Sequence, residues 1–311
     1  MNPPSGSVYE LPAESPGIAP ALASPTRPLY WSVQRELWEN RSITIAPIVV
    51  AAVVMFGFMV STFTLPRRMH ALSALAPAKQ RASVEAPYTA VAVLVLLTAI
   101  IIGIFYCLDA LHGERRDRSI LFWKSLPVSD RITVLSKAAV PLVVLPLLIF
   151  TIIVAAQLMM LMLSTIVLMG DSRSLATLWT SFKLVQSSLA LLYALIAIAL
   201  WHAPMYAWLL LISAWARRAT FLWAALPPLA LCMFEQIAFG TKFFATLLVY
   251  RLSGWFHQAF VPQAPGTAPA DPLTMLDPLK FLGTPGLWIG LLLAAAFLAA
   301  AVRLRRNREP I

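Results

Sequence analysis

Six apolar runs, each long enough to cross a hydrocarbon core, alternate with polar stretches along this chain. A helix rising 1.5 Å per residue needs about 20 apolar residues to span a core about 30 Å thick. Runs of that kind occupy Ile43 to Thr64, Tyr88 to Leu108, Ala138 to Met169, Ser187 to Ala214, Thr220 to Gly240 and Gly286 to Val302. The predicted fold class is an all-α integral membrane protein with six transmembrane helices. The third and fourth runs exceed what a bilayer requires, and Pro141, Pro146 and Pro204 are the places where kinks would absorb the excess.

The segments between the runs have patterns of their own. Residues 1 to 28, rich in Pro, Ser and Ala, lack both aliphatic periodicity and the charged start and apolar core of a secretory signal, and are expected to form a disordered tail. In Leu29 to Arg41 a helical wheel puts Leu29, Tyr30, Trp31, Val33, Leu37 and Trp38 on one half and Ser32, Arg35, Glu36 and Glu39 on the other. Such a helix either lies in the membrane interface, with its tryptophans at headgroup depth, or extends the first span into the cytosol.

Between the second and third spans, Asp109 to Lys137 carries six basic residues. A helix from Arg118 to Leu126 would gather Ile120, Phe122, Trp123 and Leu126 on one arc, opposite Arg118, Lys124 and Ser125. Pro127 would end it, and Ser129 or Asp130 could cap the next helix. Its charges either fix topology in a solvated loop or surround an apolar knob that seeks a partner surface. Farther on, Lys242 to Phe260 has apolar runs too short to span, interrupted by Arg251, Gly254 and His257, and predicts helices that dip into or lie on the outer leaflet. Val261 to Pro285 reads as irregular loop.

Composition agrees with a multi-pass membrane protein: 59% of residues are hydrophobic and 12% charged, about half the charged fraction of a soluble domain. The net charge of +10 does not point to nucleic acid, because the basic residues gather at the ends of apolar runs rather than along one stripe. The two termini and the inter-span segments on their side hold fifteen Lys and Arg and the segments on the other side nine. By the positive-inside rule both termini, the Asp109 to Lys137 loop, Arg217, Arg218 and the basic tail 303 to 311 face the cytoplasm. Cys107 and Cys232 lie within apolar stretches and suggest neither a disulfide framework nor a metal cluster.

Chemistry-bearing residues inside the spans are few. His202 and Glu235 are intramembrane polar candidates; the structural alternatives are a histidine bonded to the carbonyl that Pro204 frees and a carboxylate marking the outer interface. The run Gln157 to Met162 reads as methionine-rich packing rather than a soft-metal site. Gly286, Gly290 and Ala294 place small residues four apart on one face, for close helix contact within a subunit or across a dimer. The chain has no Gly-rich phosphate loop, no zinc-protease helix motif and no nucleophile elbow, and its four histidines are too scattered for a metal site. No catalytic residue and no metal ligand is expected.

The stretch from Glu114 to Lys137, ERRDRSILFWKSLPVSDRITVLSK, resembles the cytoplasmic coupling segment of type-2 ATP-binding-cassette exporter permeases. In that family a loop after the second span carries an acidic-Arg start, a Phe-Trp-x-Ser-Leu-Pro-Val-Ser core and a closing Lys. A looser likeness covers Arg35-Glu36-Leu37-Trp38-Glu39 and the six-span layout. The resemblance implies a permease subunit of an inner-membrane exporter, paired with a second permease copy or paralogue and with separate ATPase subunits. ATP and Mg would sit on those ATPases, and this chain would bind no cofactor itself. It implies an interfacial helix carrying Trp31, Arg35, Glu36 and Trp38, and short re-entrant helices before the last span. ATPase coupling would fall to Glu114, Arg115, Arg116, Arg118, Phe122, Trp123, Lys124, Leu126 and Pro127, the apolar ones anchoring and the basic ones steering toward acidic rim residues. The competing expectation is a membrane scaffold or carrier not driven by an ATPase.

Overall fold

The computed structural model describes residues 26–117, 129–261 and 271–307. Helix α1 (Thr26–Glu39) precedes α2 (Ser42–Thr62), α3 (Leu65–Leu72), α4 (Pro77–Ala110) and α5 (His112–Arg116). Next, α6 (Asp130–Ala139) passes through a π-helical turn, Val140–Val144, into α7 (Leu145–Val167). Then come α8 (Ser172–Ser181), α9 (Leu184–Trp215), α10 (Thr220–Phe239), α11 (Phe243–Ala259), α12 (Pro278–Gly283) and α13 (Pro285–Asn307), with a 3-10 turn at Pro272–Met275. Among the described residues there is no strand, only an isolated bridge between Phe260 and Leu276. Ser42–Thr62, Pro77–Arg116, Asp130–Val167, Ser172–Trp215, Thr220–Phe239 and Pro285–Asn307 are long and apolar enough to cross a membrane. The protein is an all-α membrane protein.

Local chemistry accounts for the helix ends. The Ser129 hydroxyl accepts the Ile132 amide at 3.3 Å and so starts α6. The Asp171 carboxylate accepts the Arg173 and Ser174 amides and starts α8. The π-helical turn contains Pro141, whose ring has no amide to donate and crowds the carbonyl of Lys137 four residues back, so the helix widens there. Pro204, by contrast, lies inside an unbroken α9; the excess length of the fourth span is taken up by the break between Ser181 and Leu184. The last helix also runs farther than hydropathy predicts, to Asn307, so residues 303 to 307 are helix rather than tail. Residues 278 to 283 are likewise helical rather than irregular loop.

The main core lies between α2, α4 and α7, where Ile43, Phe58, Val91, Val95, Ile149 and Ile153 are buried. The broadest helix pair is α9 with α13, in which Ala203 and Ala207 meet Ala294. At the periphery, α10 has Ala224 as its one buried residue. The small residues of α13 serve packing within the subunit: the Tyr250 ring covers Gly286, and the Arg251 guanidinium occupies the space a side chain at Gly290 would need. Gly290→Ala should therefore cost about 1–3 kcal/mol through overpacking, read as a lower Tm in detergent. Gly57→Ala, at a position inside α2 with nothing within 4 Å of the added carbon, is the control expected not to lower Tm.

Candidate functional site

One end of the bundle holds a buried network of charges contributed by four elements. α1 brings Arg35 and Glu36, α5 brings Glu114, α6 brings Asp130 and Lys137, and α13 brings Arg305. Lys137 Nζ lies 2.8 Å from Glu36 Oε1 and 3.1 Å from Glu114 Oε1. Arg35 Nη2 reaches the same two carboxylates at 2.9 and 3.4 Å. Arg305 joins Glu114 Oε2 at 3.1 Å to Asp130 Oδ1 at 3.3 Å. The Tyr106 hydroxyl donates to Glu36 Oε2 at 2.9 Å. Side-chain exposure is 1% for Glu36, 3% for Lys137, 4% for Arg305 and 9% for Glu114. These charges are out of water, and only one another can neutralise them.

The local fold explains why these side chains converge. Val134, Lys137 and Pro141 succeed one another at helical spacing on the buried side of α6 and the π-helical turn. Arg305 follows Gly290, Ala294 and Ala301 down the packed face of α13. α1 turns Glu36 toward the protein while Tyr30, Trp31 and Trp38 stay more than half exposed. Glu36 and Leu37 thus meet the bundle, and Tyr30, Trp31 and Trp38 face outward.

A second set of contacts fastens α5. Arg115 is buried, and its Nη1 donates to the carbonyls of Ala214 at 2.8 Å and Ala216 at 3.2 Å. A cation there satisfies the orphan carbonyls at the end of α9 and complements the negative end of its dipole. In return, Ser213 Oγ accepts the Leu111 and His112 amides at 3.0 and 2.9 Å. The expected steering role does not fit Arg115, because its guanidinium is committed to α9 inside the protein. Arg116 is exposed and pairs with Asp117 at 3.1 Å, a contact of small energetic weight. Arg118, Phe122, Trp123, Lys124, Leu126 and Pro127 lie outside the described residues. What is described is the base of their segment: Glu114 on the leading stem, Asp130 and Lys137 on the trailing one, all held in a single network.

The two intramembrane candidates have structural partners. Glu235 accepts the Thr241 hydroxyl at 2.7 Å and the Phe243 and Phe244 amides at 2.7 and 2.8 Å, and so caps the start of α11. His202 Nδ1 lies 2.9 Å from the Ile198 carbonyl and Nε2 lies 3.2 Å from that of Leu252; neither is the Leu200 carbonyl that Pro204 frees. His202 and Trp201 mark where α11 meets the middle of α9, since Trp201 Nε1 donates to the Arg251 carbonyl at 3.0 Å. The Arg251 guanidinium stacks on the Trp201 ring at 4.8 Å from its centroid. Among the described residues no group of three or more His, Cys, Asp or Glu side chains could hold a metal ion.

Sequence reasoning missed Lys137, Asp130, Tyr106 and Arg305 as site residues. Arg305 was assigned to a topology-setting tail, although continuing the helical period of Gly290, Ala294 and Ala301 would have put it on the packed face. No family model matches the chain, and no curated protein or solved structure shows significant similarity to it.

Burial works against ionisation of Glu36, but the Lys137 ammonium and its hydrogen bond, Arg35 and the Tyr106 hydroxyl outweigh it and hold the carboxyl below its ordinary value. The resulting stabilisation is complete above the ordinary carboxylate pKa, about 4.3, and is lost as pH falls through the lowered value. Thermal unfolding in detergent should show this acid limb in the native protein and a smaller one in Glu36→Gln. Lys137→Ala should cost about 3–5 kcal/mol at neutral pH, because it removes the buried ammonium that two buried carboxylates share. In a double-mutant cycle, adding Glu36→Gln to Lys137→Ala should recover part of that loss.

Proposed function

We propose that this chain is the membrane-spanning permease subunit of an ATP-binding-cassette exporter, transmitting ATP hydrolysis by a separate subunit to movement of a substrate. One observation supports this reading above the others: both stems of the basic, apolar-tipped segment at residues 118 to 128 are fixed to α1 and α13 by buried ion pairs. A segment that only set topology would need no such anchorage. A segment that is pushed must pass displacement to the bundle without slack, and a base of mutually neutralising buried charges does that.

In this reading the segment faces the cytoplasm with both termini, as the distribution of Lys and Arg suggests, in a bacterial-type inner membrane. Phe122, Trp123 and Leu126 dock into the ATPase as apolar anchors, with Arg116, Arg118 and Lys124 steering the encounter. Closure of the ATPase pair displaces the segment. Glu114 and Asp130 carry the displacement to Lys137, α1 and the last span, and the π-helical turn beside Lys137 is where α6 can shift against α7. A second copy or a paralogue supplies the other membrane half.

Two variants separate docking from transmission. Trp123→Ala should lower the ATPase recovered with the protein in a mild-detergent pull-down by about tenfold or more, with insertion and expression intact. Glu114→Gln should keep the ATPase bound while substrate no longer stimulates its turnover. Recovery of no phosphate-loop ATPase with the native protein, or equal recovery with Trp123→Ala, overturns the assignment.

A further inference from the structure

The third span holds a backbone oxygen that its own helix does not satisfy. In an α-helix the Pro141 carbonyl would accept the amide of Leu145, four residues on, but that amide donates to the Val140 carbonyl. In the wider π register its donor would be residue 146, which is Pro146 and has no amide. A carbonyl in the hydrocarbon region has no bulk water beside it. Where proline bares one in a membrane helix, a neighbouring side chain or an ordered water supplies the bond.

Pro141 lines a cavity of about 20 Å³ between the third span, α4 and α9, together with Ala99, Leu145, Pro146, Ala199 and Tyr206. Tyr206 is the one lining residue with a polar side chain. It is buried, and among the described residues its hydroxyl has no hydrogen-bond partner. Gly103 makes room for it, since a Cβ there would meet the Tyr206 hydroxyl at 3.4 Å and the Leu145 side chain at 3.5 Å. The hydroxyl and Leu145, the residue that follows the π-helical turn, thus face the same small space.

Volume and chemistry together decide what fits. A water needs roughly 10–15 Å³ of such space and at least two polar partners. The cavity has room for one molecule, and a carbonyl without a donor and a hydroxyl without a partner stand at its walls.

We propose that this cavity binds one water molecule, which donates to the Pro141 carbonyl and hydrogen-bonds the Tyr206 hydroxyl, and which holds the third span in its π-helical register. Return to the α register would give the Leu145 amide back to Pro141 and leave the Lys137 carbonyl as the bare one. The water therefore weights one of two registers in a turn that lies between the charge network and α7. Its use as a hinge rests on the transport reading; the water site does not.

Radiolytic hydroxyl-radical labelling of the full-length protein in detergent tests the proposal, because radicals made from a bound water modify the side chain beside it. Tyr206 should be labelled several-fold faster than Tyr88, which is also buried and whose hydroxyl lies 3.3 Å from that of Ser164. Pro146→Ala restores an amide for the Pro141 carbonyl and should cut Tyr206 labelling several-fold, while Pro47→Ala, in α2 and away from the cavity, should not. Tyr206→Phe should lower Tm in the native protein but not in Pro146→Ala, where the hydroxyl has no water to bond. The labelling comparison needs no Tyr206 variant, so it decides the matter if Tyr206→Phe does not fold. Labelling of Tyr206 no faster than that of Tyr88, labelling unmoved by Pro146→Ala, or an equal fall in Tm in both backgrounds would overturn the proposal. None of these readouts involves an ATPase or a substrate, so they stand or fall apart from the transport reading.

Discussion

An ammonium group taken out of water must find a carboxylate, and around Lys137 that requirement organises one whole end of the molecule. Its 3% side-chain exposure leaves Glu36 and Glu114 as its counter-charges, and those in turn draw in Arg35 and Arg305. The centre of the network sets Arg35, Lys137 and Arg305 against Glu36, Glu114 and Asp130, and the charges cancel. Buried pairs of this kind add little net stability, since desolvation offsets most of the Coulomb attraction. What they supply is specificity: any displacement of α1, α6 or α13 that separates the partners leaves a bare charge in a poor dielectric. Helices that could otherwise slide over one another on featureless apolar surfaces are held in one register.

The rest of the bundle contrasts with that end. Away from the network, contacts are mostly between apolar and small side chains, as where Ala203 and Ala207 meet Ala294. α10 stands at the margin with one buried residue. α11 is pinned at mid-depth by Trp201, His202 and the Arg251 guanidinium, and Glu235 fixes where it begins. The chain thus has one end keyed by buried charge, joined by long helices to a body packed mostly by shape. The third span carries a π-helical irregularity, Val140–Val144, shortly after Lys137.

Much of the fold was legible because a bilayer allows few solutions. Apolar length marked all six spans to within a few residues, except where polar helices extend them, and the amphipathic pattern found α1. The sequence offers Ser129 or Asp130 as the cap of α6, and the structure uses Ser129. The site was less so. Glu36, Glu114 and Arg115 were picked out by resemblance, yet Arg115 was given an outward task when it binds the end of α9. Arg305 was counted as a tail charge, and Lys137 was the last letter of a motif with no partner assigned. His202 and Glu235, chosen because polar groups are rare in spans, serve backbone carbonyls and amides. Pattern shows that a residue is costly to bury; it does not show what lies across from it.

Taken alone, the order of residues determined that this protein is helical, has six segments apolar and long enough to span a membrane, and carries a basic segment with Phe122 and Trp123 between the second and third. Those are consequences of local composition and period, which act within a turn or two of helix. Only the tertiary structure decided that Glu36, Glu114, Lys137 and Arg305, up to 269 positions apart in the chain, share one neutral cluster. Charge pairing acts over a few ångströms of space and is indifferent to separation along the chain, so it becomes visible only once the helices have been brought together.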